Sequence, residues 1–452
     1  MFRVLDIEDK KAHSLVTWAI KKPRLPRSVI VPLRYGTESA AEACVETGQH
    51  VRAGDKIAAA HAYDAVNRYA PITGKVTRIG LERHAVLGQT TVVEIDGGEF
   101  PEGFTSYGPA LFSKKEALSF FKKMGLVDLD SAMEPLHVKI ENARRKVPQM
   151  LLVNGCDPEP YVTANHSLAM SHALEILKGA EILREVSGAK EMILFFQKNQ
   201  MEAAEIVRSK IFFLRWEHVR VCIQPSEYPY GLNDLILWEA LKTDARRAES
   251  VKSRALIVNL ATAYAVYEAV ELDKPFFERA VTVGGECVVE AKNVWVPVGA
   301  RMEDTFRFCG GLLRDPGRVV ANGPMTGLAQ TSLSGPMLPG MAALLAIAKE
   351  ELDSRASAAC DRCGFCAEAC PSELLPSNLA LLAQYQDWQG TMQQNIDRCL
   401  ECGVCSFVCP SRIPLAVLLH EAKEALQPIH RSPPRITNPN PSFSPAISAG
   451  KE

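Results

Sequence analysis

The sequence predicts a multidomain chain of α/β plus β class. In order, it should contain a small all-β unit, a Rossmann-like α/β domain, a β-grasp-like unit and a helical module built around metal clusters. Three observations predict this. Short apolar runs punctuated by glycine fill residues 27–100, helix and strand periods alternate through residues 110–250, and eight cysteines fall in two identical runs near the C-terminus. The 452 residues, 47% hydrophobic, are enough for several separate cores.

The N-terminal arm, residues 1–26, precedes the first strand pattern. Residues 27–105 form the first unit: residues 29–33 (Val-Ile-Val-Pro-Leu) read as a strand, and residues 48–55 as turn–strand–turn with Gly48 and Gly54 at the turns. Residues 70–76 open another strand pair, which residues 90–95 close. The spacing V-x-x-G-x-x-V-x-x-G-D followed by A-P-I-x-G-x-V resembles the barrel-sandwich hybrid of lipoyl and biotinyl domains. Those carry a modified lysine on a hairpin; the matching hairpin here, residues 63–68, has none, so docking or scaffolding is expected in place of a swinging arm.

Residues 106–252 alternate strand and helix. Residues 150–153, 191–196 and 219–223 are apolar strands, and residues 167–185, 200–212 and 232–241 carry helical stripes. Strands separated by helices imply a parallel sheet with its ligand site at the strands' carboxyl ends. Residues 253–348 return to β, with strands at 281–285, 293–297 and 318–320 and a helix at 302–308. Residues 349–426 are the helical cluster module, with helices at 376–385 and 415–426; the Pro/Ser/Asn-rich tail, residues 427–452, is expected to be disordered.

Composition excludes several classes. With 51 basic against 53 acidic residues, neither a nucleic-acid partner nor a strongly anionic membrane is expected. No stretch approaches the ~18 uninterrupted apolar residues of a transmembrane helix. Residues 256–270 and 337–348 come nearest, but Asn259, Glu268 or Gly340 interrupts them, so they read as buried elements. The first residues lack a signal-peptide core, so a reducing cytoplasm is expected. Cys44, Cys156, Cys222, Cys287 and Cys309 are scattered and read as small buried hydrophobes. For His61, His84 and His166 there is no partner pattern.

The cysteine runs carry the chemistry. Cys360-x2-Cys363-x2-Cys366-x3-Cys370-Pro371 and Cys399-x2-Cys402-x2-Cys405-x3-Cys409-Pro410 each have the spacing of a ferredoxin 4Fe–4S site, in which the fourth cysteine serves the other cluster. Cys360, Cys363, Cys366 and Cys409 are therefore expected to hold one cluster, and Cys399, Cys402, Cys405 and Cys370 the other. Structural zinc is the alternative, but it uses two paired hooks and leaves the third cysteine of each run without a task. Two clusters in one module form a one-electron relay.

The order of units, with residues 154–161 (Asn-Gly-Cys-Asp-Pro-Glu-Pro-Tyr), 228–231 (Tyr-Pro-Tyr-Gly), 262–266 (Thr-Ala-Tyr-Ala-Val), 323–327 (Gly-Pro-Met-Thr-Gly) and both cysteine runs, resembles the RnfC subunits of Rnf ion-translocating electron-transport complexes. It is also similar to the cobalamin reductase of propanediol-utilising microcompartments and, in its middle, to the NADH-binding subunit of respiratory complex I. The resemblance covers about residues 27–425. It implies an FMN that accepts hydride from NADH, and clusters that pass single electrons to membrane subunits.

In that family a loop of the form G-L-G-G-A-G-F-P-T-H-x-K holds the flavin phosphate. Residues 128–139 keep Leu129, Ala132, Pro135, His137 and Lys139 but have lost all four glycines, and Asp128, Asp130 and Glu134 add bulk and negative charge. Each carboxylate–phosphate contact at ~4 Å would cost on the order of 4 kcal/mol, and two would cancel a micromolar affinity of about 8 kcal/mol. Near Asn154 the family's E-C-E-P is reduced to residues 157–160, Asp-Pro-Glu-Pro, and Asp234 stands where the family offers a lysine. The expectation is no FMN and no NADH, with a rearranged site as the alternative; His137, Lys139 and Glu159 would then be its residues. The acids themselves are expected to form a solvated loop, a cation site being the alternative.

The reading is an RnfC-like, peripheral iron–sulfur subunit on the cytoplasmic side of the membrane. It would relay electrons between membrane subunits and a protein partner such as a flavoprotein, ferredoxin or cytochrome. The rival is an FMN-dependent NAD(P)H oxidoreductase like the cobalamin reductase; a non-catalytic assembly protein is the third possibility.

Overall fold

The computed structural model describes residues 7–13, 18–22, 24, 26–84, 87–99, 113–244, 247 and 254–426. The tail expected to be disordered lies outside these residues, as do residues 1–6 of the arm.

The first unit is two antiparallel sheets face to face. One has the order Ser28–Pro32, Gly88–Glu99, Thr73–His84, His50–Val51; the other has Glu42–Ala43, Lys56–Ala59, Arg68–Tyr69. Alternate residues (Val29, Val31, Val51, Ile57, Ile72, Val76, Val93, Ile95) point into a common core, as a half-buried strand requires. In the hairpin without a lysine, Arg68 turns inward. It is fully buried in an ion pair with Glu38 at 2.8 Å, with its guanidinium 3.7 Å from the Tyr35 ring centre.

The middle unit is a parallel sheet in the order Val219–Gln224, Glu191–Gln197, Met150–Asn154, Ala255–Asn259. Its inner strands are continuous apolar runs because helices cover the sheet. Helices Ala164–Ser187 and Leu260–Glu271 pack so closely that a Cβ on Gly179 would stand 1.8 Å from the Ala263 carbonyl oxygen. The sequence pattern divides the chain at residue 252, but Ala255–Asn259 pairs in register with Met150–Asn154, so the α/β unit continues through this strand and the helix that follows. The strand's apolar residues run into the helix without a break, and the hinge is Asn259, whose side chain caps the helix by accepting from the Ala261 N–H at 2.8 Å.

The third unit is a mixed sheet: Lys292–Pro297, Glu278–Gly284, Ala343–Ile347, Arg318–Ala321, Leu328–Gln330. Lys21 of the arm adds a parallel bridge to Val294. The C-terminal module packs short helices, Phe365–Glu368, Pro376–Gln384, Trp388–Gln393, Val404–Phe407 and Leu415–Leu426, around Leu379, Leu415 and Leu419.

Candidate functional site

The two cysteine runs have the same backbone path. Arg362 and Glu401, then Gly364 and Gly403, then Glu373 and Arg412 all take positive φ, between 53° and 84°. These left-handed residues coil each run back on itself, so thiols two residues apart turn toward one centre. The short helix after each glycine packs against its counterpart from the other run.

Cys370, Cys399, Cys402 and Cys405 line one small cavity, partly open to solvent, together with Leu374, Val404 and Leu419. This is the crossed set expected from spacing. Burial pushes the Cys399 thiol up to about 11 and Cys402 to about 12, and raises Cys405 further still. Buried thiols of this kind stay protonated until a cation replaces the proton. Among the described residues no three His, Cys, Asp or Glu side chains close on a single-ion site. Four thiols spread around a cavity suit a cubane better than a lone zinc ion. The Leu374 N–H donates to the Cys370 sulfur and the Glu401 N–H to the Cys399 sulfur, each at 3.4 Å. Lys423 Nζ donates to the Cys399 carbonyl at 2.9 Å. Burial would raise the Glu401 carboxyl, but its bonds to His420 and Lys423 hold it at about 2.

The second set is arranged differently. Cys360 and Cys363 are exposed at the module's edge, while Cys366 is buried and Cys409 packs on the module core. The module sits against the middle and third units: the Tyr228 hydroxyl donates to the Cys402 carbonyl at 2.7 Å, and a Cβ on Gly403 would stand 2.4 Å from the Met325 carbonyl oxygen. Tyr228 and Met325 enter the sequence pattern through the family resemblance alone, and nothing local to them signals that they meet a cysteine run.

The loop at residues 128–139 corrects one expectation. It is not solvated: Asp128 is fully buried, paired with Lys139, and accepts from the Thr262 hydroxyl at 2.5 Å and the Asn259 N–H at 3.0 Å. Asp130 lies 3.5 Å from the same ammonium. Burial would depress Lys139, but the two carboxylates outweigh it and hold the ammonium charged. Asp128 stays below the usual carboxylate range because Lys139 and its hydrogen bonds overcome burial, while burial and the Asp128 charge push Asp130 up to about 6.

The backbone of the loop is committed as well. The Asp128 N–H donates to the Glu134 carbonyl at 2.8 Å and the Leu129 N–H to the Thr262 hydroxyl at 2.8 Å. The Ala132 and Met133 N–H groups donate to Asp130 at 3.0 and 3.2 Å. The Asp128, Leu129, Ala132 and Met133 donors are thus committed to Glu134, Thr262 and Asp130, so the residues as arranged do not fit a flavin phosphate.

His137 and Glu159 are engaged too. His137 Nε2 meets the Tyr63 carbonyl at 2.7 Å, while its buried Nδ1 has no protein partner. Glu159 accepts from the Met325 N–H at 2.9 Å, the Thr326 N–H at 2.8 Å and the Thr326 hydroxyl at 2.6 Å. The structure therefore brings Glu159 to the cluster module's docking loop and does not bring it together with His137 and Lys139 around a free space. His61 is exposed; His84 is buried against the Pro336 carbonyl; His166 stacks under Trp18 with ring centres 4.1 Å apart. Of the scattered cysteines, Cys156, Cys287 and Cys309 are buried, Cys222 is half-buried and Cys44 is exposed, contrary to its expected burial, because its strand neighbour Glu42–Ala43 lies at a sheet edge. No helix among the described residues is long and apolar enough to cross a membrane.

Known families match along most of the chain. Residues 5–98 match the RnfC barrel sandwich hybrid domain, 121–268 the Nuo51 FMN-binding domain, 280–329 the SLBB domain and 359–413 the 4Fe-4S dicluster domain. The RnfC-type component of the proton-translocating ferredoxin:NAD(+) oxidoreductase complex of Clostridium ljungdahlii is 30% identical over 381 residues, 82% of this chain and 81% of that one. The corresponding component of the Na(+)-translocating ferredoxin:NAD(+) oxidoreductase complex of Acetobacterium woodii is 26% identical, covering 82% and 84%. That of the ion-translocating oxidoreductase complex of Rhodobacter capsulatus is 28% identical, covering 81% and 72%. Among solved structures, a polypeptide of an NAD+-reducing NiFe-hydrogenase in the H2-reduced state aligns with a TM-score of 0.49 at 14% identity, over 70% of this chain and 61% of that one.

Proposed function

The chain belongs to the RnfC family, and on that premise we propose that it is the peripheral iron–sulfur subunit of an ion-translocating electron-transport complex, relaying single electrons without oxidising NADH itself. The observation that carries the reading is the cavity ringed by Cys370 of one run and Cys399, Cys402 and Cys405 of the other. When bound, each 4Fe–4S cluster supplies one reversible electron; Leu374, Val404 and Leu419 would put apolar side chains around the inner cluster, and the Leu374 and Glu401 N–H groups donate to two of its sulfur ligands. Cys360, Cys363, Cys366 and Cys409 would hold the outer cluster. We read the parallel sheet as Rossmann-like and the mixed sheet as β-grasp-like, both serving as scaffold. The electron partner would be a protein, a flavoprotein, ferredoxin or cytochrome, and the chain would meet its membrane subunits from the cytoplasmic side.

The second reading, an FMN-dependent NAD(P)H oxidoreductase, is favoured by the FMN-binding domain match at residues 121–268. Against it stands the loop in which the Leu129, Ala132 and Met133 N–H groups and Lys139 already have protein partners. Anaerobic purification with excess FMN, followed by assay of flavin released on denaturation and of iron per chain, separates the two. Iron for two clusters with near-zero flavin supports the relay. One flavin per chain would restore NADH as donor.

A further inference from the structure

The N-terminal arm meets three units within five residues. Ile7 packs on the apolar group formed by Tyr228, Ala369, Cys402 and Val404, where the cluster module meets the α/β unit. Asp9 accepts from Asn199 Nδ2 at 2.8 Å, just past the carboxyl end of the strand Glu191–Gln197. Lys10 pairs with Glu286 of the mixed sheet at 3.5 Å and with Glu351 at the entrance to the cluster module, and its ammonium lies 5.8 Å from the Tyr161 ring centre. Lys11 is buried, and its charge reaches Cys156, Asp157 and Glu159 in the loop after the first strand of the parallel sheet. This is the crevice where α/β sheets take ligands. The stretch therefore lies across a ligand position as part of the chain.

We infer that residues 7–11 are a positioning clasp that occupies this crevice and holds the cluster cavity of Cys399, Cys402 and Cys405 against the α/β unit, with Ile7 as the apolar seal and Lys10 as the tie between units. Lys10 is suited to the tie because its side chain is mostly buried and faces two carboxylates from different units. Removing the ammonium leaves both carboxylates unneutralised at the junction. Ile7 is suited to the seal because it covers the same residues that Tyr228 anchors to Cys402. The inference rests on the cluster assignment proposed above.

The test uses the full chain with both clusters loaded anaerobically, and follows loss of cluster absorbance under a ferrous-iron chelator. The phase that changes in Cys402→Ser marks the inner cluster. Ile7→Asp and Lys10→Met should each speed that phase roughly tenfold by making local opening easier, leave the other phase unchanged, and keep the iron content of the loaded protein. Lys10→Arg should behave as wild type, since it keeps the charge. Unchanged phases in both variants would overturn the clasp, and so would equal acceleration of both phases, which would mean general loosening. Wild-type chain that binds no iron would instead refute the cluster reading itself.

Discussion

Lys139 and Asp128 form a buried ion pair inside the loop that, in the family's flavin-binding pattern, would wrap a phosphate. The lysine that closes the loop pattern is turned on a carboxylate eleven positions earlier. Removing one partner weakens the hold on the other: Asp128→Ala should cost on the order of 3 kcal/mol, because the buried ammonium keeps only Asp130, at 3.5 Å, and loses its nearer carboxylate. Asp128→Ala combined with Lys139→Met should recover most of that loss. Urea unfolding of the single and double variants measures it; equal stability of the single variant and wild type would mean the pair holds nothing.

Asp157 gives a pH dependence of unusual sign. It is buried, and burial lifts its carboxyl to about 6 despite bonds from the His166 and Asn165 N–H groups. A group whose folded value lies above its ordinary value of about 3.9 contributes stability that is full below that value and is lost as pH rises through 6. Wild type should therefore lose stability relative to Asp157→Asn between pH 5 and 7.5, by about 1.4 kcal/mol. Denaturant midpoints of both proteins at the two pH values give the difference; a constant gap would contradict the burial argument.

Glu159 ties the loop after Asn154 to residues 323–327. Its carboxylate accepts three hydrogen bonds there, and a Cβ on Gly323 would stand 2.3 Å from its Oε2. Glu159→Gln puts an amide N–H against backbone donors and removes the charge, for a loss of roughly 2 kcal/mol. Faster amide exchange confined to residues 323–327 and the adjoining cysteine run would accompany it. Exchange unchanged there would show that the loop is held by other contacts.

What is legible in the sequence follows from the range of each interaction. The cysteine runs and the alternating strands are local patterns, and Met150–Asn154 and Glu191–Gln197 lie where their apolar runs put them. The acidic loop reads as solvated because its partners are remote: Thr262 lies 134 residues from Asp128, and no local period announces that the two side chains meet. The strand Ala255–Asn259 blurs into the following helix because both are apolar, although Asn259 carries the capping signal at the boundary. Lys10 and Lys11 of the arm look like surface charge in isolation; their burial depends on carboxylates from three other segments.

Crossed ligation gives the last prediction. Cys370 belongs to the first run but faces the cavity lined by the three leading cysteines of the second. Cys370→Ser should therefore perturb the cluster held by Cys399, Cys402 and Cys405, and Cys409→Ser the one held by Cys360, Cys363 and Cys366. The two losses should differ in character. Cys402 and Cys405 of the inner set are buried in an apolar cavity, so an incomplete ligand set leaves raised, protonated thiols and a cluster that does not reassemble. The outer set has two exposed thiols, so solvent can supply a replacement ligand and some iron should remain. Electron paramagnetic resonance of the reduced variants, with iron counted per chain, reads both points. Loss confined to the cluster of the mutated cysteine's own run would refute the crossed assignment.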